Sequence, residues 1–276
     1  MTSARRLVLA VALLAGCAGL PLPREGTYHG SDADLSVTRI VHGSLVLEMG
    51  KTRILVDPWF NSAVSTRQTE ALGMLPDKLP DASAVLLTHK HAGHYDPDAL
   101  AAIAKKTPHA IVPPHMADAV RKLGFTDVTP LDWWDHTTVG PIRVTAVPAE
   151  HNTRENGYVV ASDRVKVYVA GDTRWFDGLV DVAAAFPSLD VACLPIGGEK
   201  AMGFRRTMGP DEAAKAAALL KPRRVIPIAY GAAGGFPFVW YADEPVARFR
   251  EAANDAGLDP QQVVVLEPGE SWHYFR

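Results

Sequence analysis

The sequence has few cysteines, and it has no long block of residues of one charge sign. Only 2 of its 276 residues are cysteine, which argues against a small fold held together by disulfides. Lysine and arginine number 28 against 31 acidic residues, for a formal charge of −3. This even balance argues against a nucleic-acid partner. Hydrophobic residues make up 47% of the chain, enough for one large folded domain.

The N-terminus forms a segment of its own. Arg5 and Arg6 precede an apolar stretch at 7–15, which is too short to span a bilayer but has the length of a signal-peptide core. The stretch ends in Leu14-Ala15-Gly16-Cys17, which resembles a bacterial lipoprotein signal, in which the cysteine becomes the lipidated first residue. An ordinary secretory signal with an incidental cysteine is the alternative.

These features divide the chain into three parts. We expect a lipoprotein signal peptide over 1–16, a tether over 17–34 and a folded domain over 35–276. Lipidation of Cys17 predicts a protein anchored to the bacterial cell envelope, and Ala18 after the cysteine resembles the outer-membrane sorting pattern, with the domain facing the periplasm. Cys193 lies in an apolar run, and we expect it to be a buried core residue.

Strand and helix patterns alternate along most of the domain, which indicates a mixed α/β sandwich. Gly50-Lys51 predicts a hairpin turn. Asp96 followed by Pro97 predicts a helix N-terminus with Asp96 as the N-cap. The predicted strands are 35–41, 44–49, 53–56, 84–87, 110–112, 142–147, 157–161, 165–170, 191–196, 225–228 and 263–266, and the predicted helices are 98–106, 116–123, 179–186, 210–220 and 245–256.

A cluster of histidines follows the apolar run at 84–87. His89, His91 and His94 fall within six residues. The period of a strand places His89 and His91 on one side, and the turn that follows can return His94 to the same point. Because histidine is the commonest protein metal ligand, the cluster predicts a metal site. A polar loop that happens to be rich in histidine is the alternative.

The chain resembles metallo-β-lactamase-fold hydrolases in a series of segments that occur in the family order. That resemblance implies a four-layer αββα sandwich with metal ligands on loops at strand ends. Trp133-Trp134 and Met208-Gly209-Pro210 further resemble the branch that contains N-acyl-phosphatidylethanolamine phospholipase D and L-ascorbate-6-phosphate lactonase, although the tryptophans are equally explained by packing. The matching segments are Val41-His42-Gly43-Ser44, Leu55-Val56-Asp57-Pro58, Thr88-His89-Lys90-His91, Pro148-Ala149-Glu150-His151, Ala170-Gly171-Asp172-Thr173 and Pro227-Ile228-Ala229-Tyr230-Gly231.

The resemblance implies specific ligands. It assigns three histidines to a first metal and Asp172 to a carboxylate that bridges two metals. The second metal of the family also takes His94, an aspartate and a final histidine, but the last two positions are Gly93 and Ala229 here. His94 and Asp172 alone would bind a second ion weakly, so we predict one zinc ion per chain, with iron and manganese as the other candidates. The three first-metal ligands are His89, His91 and His151.

Other polar residues receive lesser roles. Asp57 resembles the family's strand-end aspartate that braces the histidine loop from outside the metal's ligand shell. His42 lies near the site by resemblance, and we expect it to be structural. Glu199 and Tyr230 are expected to be ordinary loop residues that either could contact substrate. The histidines with no matching ligand position are His29, His109, His115, His136 and His273.

These expectations describe a zinc-dependent hydrolase. It would cleave a phosphodiester, a lactone or another ester of a small-molecule or lipid-derived substrate with metal-activated water. Asp172 would complete the coordination or orient and deprotonate the water, and His94 would protonate the leaving group or bind an anionic substrate oxygen. The alternative is a catalytically inactive lipoprotein that binds a ligand or partner. β-Lactam hydrolysis ranks lower because the tryptophan pair resembles another branch.

Overall fold

The computed structural model describes residues 32–63, 66–234 and 239–276. The strands are β1 Leu35–Val41, β2 Ser44–Met49, β3 Thr52–Val56, β4 Thr66–Gln68, β5 Ala84–Leu86, β6 His109–Val112, β7 Asp127–Pro130, β8 His136–Val139, β9 Ile142–Glu150, β10 Arg154–Ala161, β11 Lys166–Val169, β12 Val191–Pro195, β13 Lys200–Ala201, β14 Phe204–Arg205, β15 Arg224–Ile228, β16 Ala232–Gly234, β17 Val239–Trp240 and β18 Ser271–Tyr274. The helices are α1 Pro97–Ile103, α2 Ala117–Lys122, α3 Leu179–Ala185, α4 Pro210–Leu220 and α5 Pro245–Asp255. The predicted signal peptide, Cys17 and most of the tether lie outside the described residues.

Two large mixed sheets form the centre of the domain. One has seven strands in the order β18-β1-β2-β3-β5-β6-β7, and the other has six in the order β15-β12-β11-β10-β9-β8. Their inner faces meet in one apolar cluster, which includes Leu45, Ile54, Val144 and Tyr158. Cys193 lies in this cluster and is fully buried, as predicted, and burial raises the pKa of its thiol to about 12.

Helices cover the outer face of each sheet. The six-stranded sheet packs against apolar residues of α3, α4 and α5, including Leu179, Ala213 and Phe249. The seven-stranded sheet packs against α1 and α2 through residues such as Leu100 and Val120. The order of layers is therefore α, β, β, α, and the predicted four-layer sandwich is confirmed.

Most predicted elements are present. The bounds of β1, β2 and α4 agree with the predicted ranges, and Gly50, with a φ of 60°, lies in the turn between β2 and β3. The predicted strand at 263–266 is wrong. That stretch makes only one isolated bridge, Val225 to Val263, because the chain leaves the edge of β15 after one residue pair.

The strands end where the predicted site residues begin. β3 and β5 run parallel in one sheet, and Asp57 and His89 lie just beyond their carboxyl ends. In the other sheet β9 and β11 end just before His151 and Asp172. The two sheets therefore bring these loops to a common edge. Within the described ranges, no helix is both long enough and apolar enough to cross a bilayer.

Candidate metal centre

The histidine loop folds back on itself between β5 and α1. The backbone N–H groups of His94 and Tyr95 both donate to the carbonyl of His91, at 3.1 and 3.0 Å. Gly93 has a φ of 108°, a backbone conformation that favours glycine. The turn places the ring of His94 4.4 Å from the ring of His89, centroid to centroid.

Three histidines form what we call the first donor group: His89, His91 and His151. One ring nitrogen from each lies within 4.8 Å of the others. His91 Nδ1 and His151 Nε2 are 2.9 Å apart, and the ring of His89 is 4.9 and 5.0 Å from the other two rings. His89 is buried, whereas His91 and His151 are half-buried. The group thus has one side that a substrate can reach.

Hydrogen bonds at the outer ring nitrogens orient this group. His151 Nδ1 donates to the carbonyl of Arg206 at 2.8 Å, which leaves Nε2 unprotonated and facing His91 Nδ1. His89 Nδ1 lies 3.1 Å from Glu155 Oε1 and 3.0 Å from Thr88 Oγ1. Its Nε2 is buried without a hydrogen-bond partner in the described structure. A ring held by its outer nitrogen, with the inner one free, is the usual arrangement of a metal-binding histidine.

A second donor group consists of His42, His94 and Asp172, and all three side chains are buried. His94 Nε2 lies 3.2 Å from Asp172 Oδ1. The other carboxylate oxygen, Oδ2, is 4.0 Å from His89 Nε2, so Asp172 lies between the two groups. In the described part of the chain, His42 Nδ1 is buried without a hydrogen-bond partner, whereas His94 Nε2 and Asp172 Oδ1 face each other as an ion pair.

Two buried carboxylates brace the two groups from outside. Asp57 accepts hydrogen bonds from the backbone N–H and hydroxyl of Thr88, at 2.8 and 2.6 Å, and its Oδ2 is 2.9 Å from His94 Nδ1. Glu155, fully buried at the start of β10, accepts the backbone N–H of Asp172 at 2.6 Å. Each carboxylate therefore contacts one histidine and also a main-chain N–H in the ligand loops.

Gly171 is required for the contact between Glu155 and Asp172. Its φ is 65°, and a Cβ there would stand 2.1 Å from Glu155 Oε1. No side chain fits in that space. The glycine of the Ala170-Gly171-Asp172-Thr173 segment thus allows the backbone to approach the carboxylate closely.

Burial and neighbouring charges set the charge state of these groups. Burial, together with neighbouring histidines, lowers the pKa of His42, His89 and His91 to about 3 in each case, so these rings are neutral at pH 7. Burial also lowers the pKa of His94, but the carboxylates of Asp172 and Asp57 outweigh it and raise that pKa well above its usual value.

The pKa values of the carboxyl groups of Glu155 and Asp172 shift in opposite directions. Burial raises the pKa of Glu155 to about 8. Burial acts on Asp172 in the same way, but the adjacent His94, His89 and His151 outweigh it and hold the pKa of that carboxyl well below its usual range. A neutral imidazole and an ionised carboxylate are the forms that bind metal ions.

Several predicted residues lie outside both donor groups. Asp96 is the N-cap of α1 and accepts the N–H of Ala99 at 3.1 Å, as predicted. Tyr230 packs against Arg39 and donates to the carbonyl of Leu266. Glu199 accepts the hydroxyl of Tyr241 at 2.9 Å. Of the five unmatched histidines, His29 lies outside the described residues, and His109, His115, His136 and His273 are absent from both donor groups.

Two residues have a larger part in the site than the sequence interpretation gave them. His42 was placed near the site by resemblance and expected to be structural, and it lies in the second donor group. The single zinc ion per chain stays a prediction. Glu155 received no role, although an acidic residue two positions before the apolar run 157–161 was a usable signal, because a buried carboxylate needs a partner.

The donor set fits a divalent metal ion. Two buried ring nitrogens of the two groups, His42 Nδ1 and His89 Nε2, lack hydrogen-bond partners within the described residues. Buried polar atoms in native proteins are nearly always satisfied. Three imidazoles leave a coordination position free for water, as in catalytic zinc sites.

Comparisons with known proteins agree with this centre. The profile of the Beta-lactamase superfamily domain matches residues 52–230. The UPF0173 metal-dependent hydrolase of Thermococcus onnurineus is 34% identical, over 80% of this chain and 92% of its own, and that of Pyrococcus furiosus is 32% identical, over 86% and 98%. The solved structure of Igni18, a metallo hydrolase of Ignicoccus hospitalis, matches with a TM-score of 0.69 and 26% identity, over 86% of this chain and 97% of its own. The chain therefore belongs to the β-lactamase superfamily and, within it, to the UPF0173 metal-dependent hydrolases.

Proposed function

We propose that this chain is a zinc-dependent hydrolase that cleaves ester bonds with water activated at the first donor group. The observation that carries the proposal is the convergence of His89 Nε2, His91 Nδ1 and His151 Nε2, with the outer nitrogens of His89 and His151 directed at protein oxygens. Three neutral imidazoles with an open position suit zinc best. The reaction as proposed needs one ion, at this group.

A zinc ion held there supplies a Lewis acid that makes water a nucleophile near neutral pH. Asp172 lies between the two donor groups, so its carboxylate can orient the attacking water and accept its proton. His94 contacts the Oδ1 atom of Asp172, and its ring lies 4.4 Å from that of His89 in the first group. It acts at the leaving oxygen, either by donating a proton or by helping to bind the negative charge that develops there.

The substrate class follows from the resemblance to the phospholipase D and lactonase branch. We assign a phosphodiester, a lactone or another ester, carried by a small molecule or a lipid-derived compound. Trp133 Nε1 donates to the carbonyl of Glu155 at 2.9 Å, and Trp133 and its neighbour Trp134 are 39% and 44% exposed. An exposed aromatic ring next to the site suits a substrate with an apolar part.

The proposed location is the bacterial cell envelope, with Cys17 lipidated and the domain in the periplasm. The support is the Leu14-Ala15-Gly16-Cys17 motif after a short apolar stretch. Cys17→Ala should release the protein from membranes or leave the signal unprocessed, whereas Cys193→Ala, the matched control, should change neither. Unchanged processing and fractionation of Cys17→Ala would contradict the anchor.

The first experiment joins metal content with turnover. The full-length chain, purified without chelator, is assayed by elemental analysis and with bis(p-nitrophenyl) phosphate, a lactone and nitrocefin. We expect bound zinc and chelator-sensitive cleavage of the phosphodiester or the lactone. Bound zinc without any turnover would favour the inactive binding protein, and chelator-sensitive turnover of nitrocefin would favour a β-lactamase. A chain without metal, even after zinc is supplied, would refute the proposal.

A further inference from the structure

We infer that His42 replaces the two ligands that the family pattern lacks here, and that it forms a second cation site with His94 and Asp172. The inferred occupant is a divalent first-row transition-metal ion. This deepens the proposed hydrolase, and rests on it, because Asp172 would be shared between the two ions. It also assigns a role to His94, which would act on the leaving oxygen through the second ion.

The missing aspartate leaves room for the His42 ring. A Cβ at Gly93 would stand 3.4 Å from both Cδ2 and Nε2 of His42. An aspartate at that position would extend its carboxylate from that Cβ into the space beside the ring. The imidazole of this chain therefore lies against the position of the lost carboxylate.

The missing histidine also borders His42. The backbone N–H of Ala229 donates to the carbonyl of His42 at 3.1 Å, and Ala229 is buried. The backbone of His42 is thus fixed beside one lost ligand position, and its ring lies beside the other.

The donor atoms of the second group are close enough together to bind one cation. One atom from each of its three residues lies within 4.8 Å of the others. His42 Nδ1 is buried without a hydrogen-bond partner in the described structure, and it lies beside the ion pair of His94 Nε2 and Asp172 Oδ1. Aromatic rings adjoin the second donor group in edge contact. The ring centroid of His42 lies 5.4 Å from that of His94 and 5.4 Å from that of Trp59. Two imidazoles and one carboxylate are a known donor set for first-row metals.

The test counts zinc ions on the full-length chain and on two variants. We expect wild type to hold about two zinc ions after equilibration with zinc and removal of the excess, and His42→Asn to hold about one. Asparagine suits the φ of 50° at position 42. His136→Asn, at an exposed histidine in β8, is the matched control and should keep both ions.

Two results would overturn the inference: a wild-type chain that holds one ion, or a folded His42→Asn chain that still holds two. If wild type holds one ion, which is lost in His91→Ala and kept in His42→Asn, the second site is refuted and the zinc hydrolase stands. If wild type holds none, both are refuted.

A second measurement keeps the test decisive if His42→Asn fails to fold. Wild type loaded with one equivalent of zinc is titrated with cobalt, whose visible absorption reports nitrogen and oxygen coordination. One further equivalent that binds with new absorption bands supports the second site. Cobalt that binds without such bands, or does not bind, overturns it.

Discussion

The two donor groups differ in how they are built. The first combines two histidines from one loop with His151, and two of its three side chains are only half-buried. The second takes residues from three separate segments, after β1, β5 and β11, and all three side chains are buried. The first group carries no formal charge at pH 7, whereas the second includes the carboxylate of Asp172. A reachable neutral group suits exchange of water and substrate. In the buried second group the pKa of His94 is raised beside the carboxylate of Asp172, so a cation bound there would displace the proton of that ring.

The difference bears on the inferred second site. A group drawn from separate segments can use a side chain that the fold places nearby, and His42 is the side chain inferred to do so. The first group depends on the close spacing of His89 and His91, so it has less freedom to change. Four perturbations test this contrast.

The largest effect is expected at the first group. His91→Ala removes a half-exposed ligand, so the core should remain intact while kcat/KM for the best substrate falls on the order of 10³-fold. Lys90→Ala, at the exposed neighbour, should retain activity. Turnover and zinc content are measured together, and an active His91→Ala enzyme would remove the first group from the mechanism.

The second-largest effect is expected at Asp172, whose two carboxylate oxygens lie near His89 and His94. Asp172→Asn keeps the shape of the side chain but removes its charge, so kcat should fall on the order of 10²-fold. Asp177→Asn, at an exposed position five residues on, serves as the control. Steady-state kinetics with metal content held constant make the measurement. Unchanged turnover would show that Asp172 neither orients nor deprotonates the water.

A smaller effect is expected at Glu155, the bracing carboxylate that contacts His89. Glu155→Gln weakens the support of His89, so zinc affinity at the first group should fall by roughly 10- to 100-fold. Competition against a fluorescent zinc chelator measures it. Glu150→Gln, whose carboxylate contacts Arg174 outside the centre, should bind zinc as wild type does. Equal affinities in the two variants would argue against a bracing role for Glu155.

The smallest effect is expected at Asp57, the carboxylate that contacts His94 of the second donor group. Asp57→Asn weakens the support of His94, so affinity for a second ion should fall about tenfold, while the first group, braced by Glu155, loses less. The cobalt titration of zinc-loaded protein is the readout, with the exposed Asp98→Asn in α1 as control. A larger loss at the first group than at the second would reverse the assignment of the two carboxylates.

Local patterns predicted most of the fold. Apolar periodicity, with proline at the starts of α1, α4 and α5, located the five helices of the described residues and most of the long strands, because these signals act over a few residues. The edge strand β18, Ser271–Tyr274, was missed. Its half-buried, mostly polar run carries a weak pattern, and its pairing with β1 joins positions more than 200 residues apart.

The histidine spacing was enough to predict a metal site at the end of β5, because His89, His91 and His94 are neighbours along the chain. Folding was needed to place Glu155 between His89 and the backbone of Asp172, and to bring His42 against Gly93 and Ala229. Those contacts depend on how two sheets pack, and residue spacing along the chain carries little information on distances across a core. The identities of the ligands are thus largely local, while the composition of the second donor group is a property of the fold.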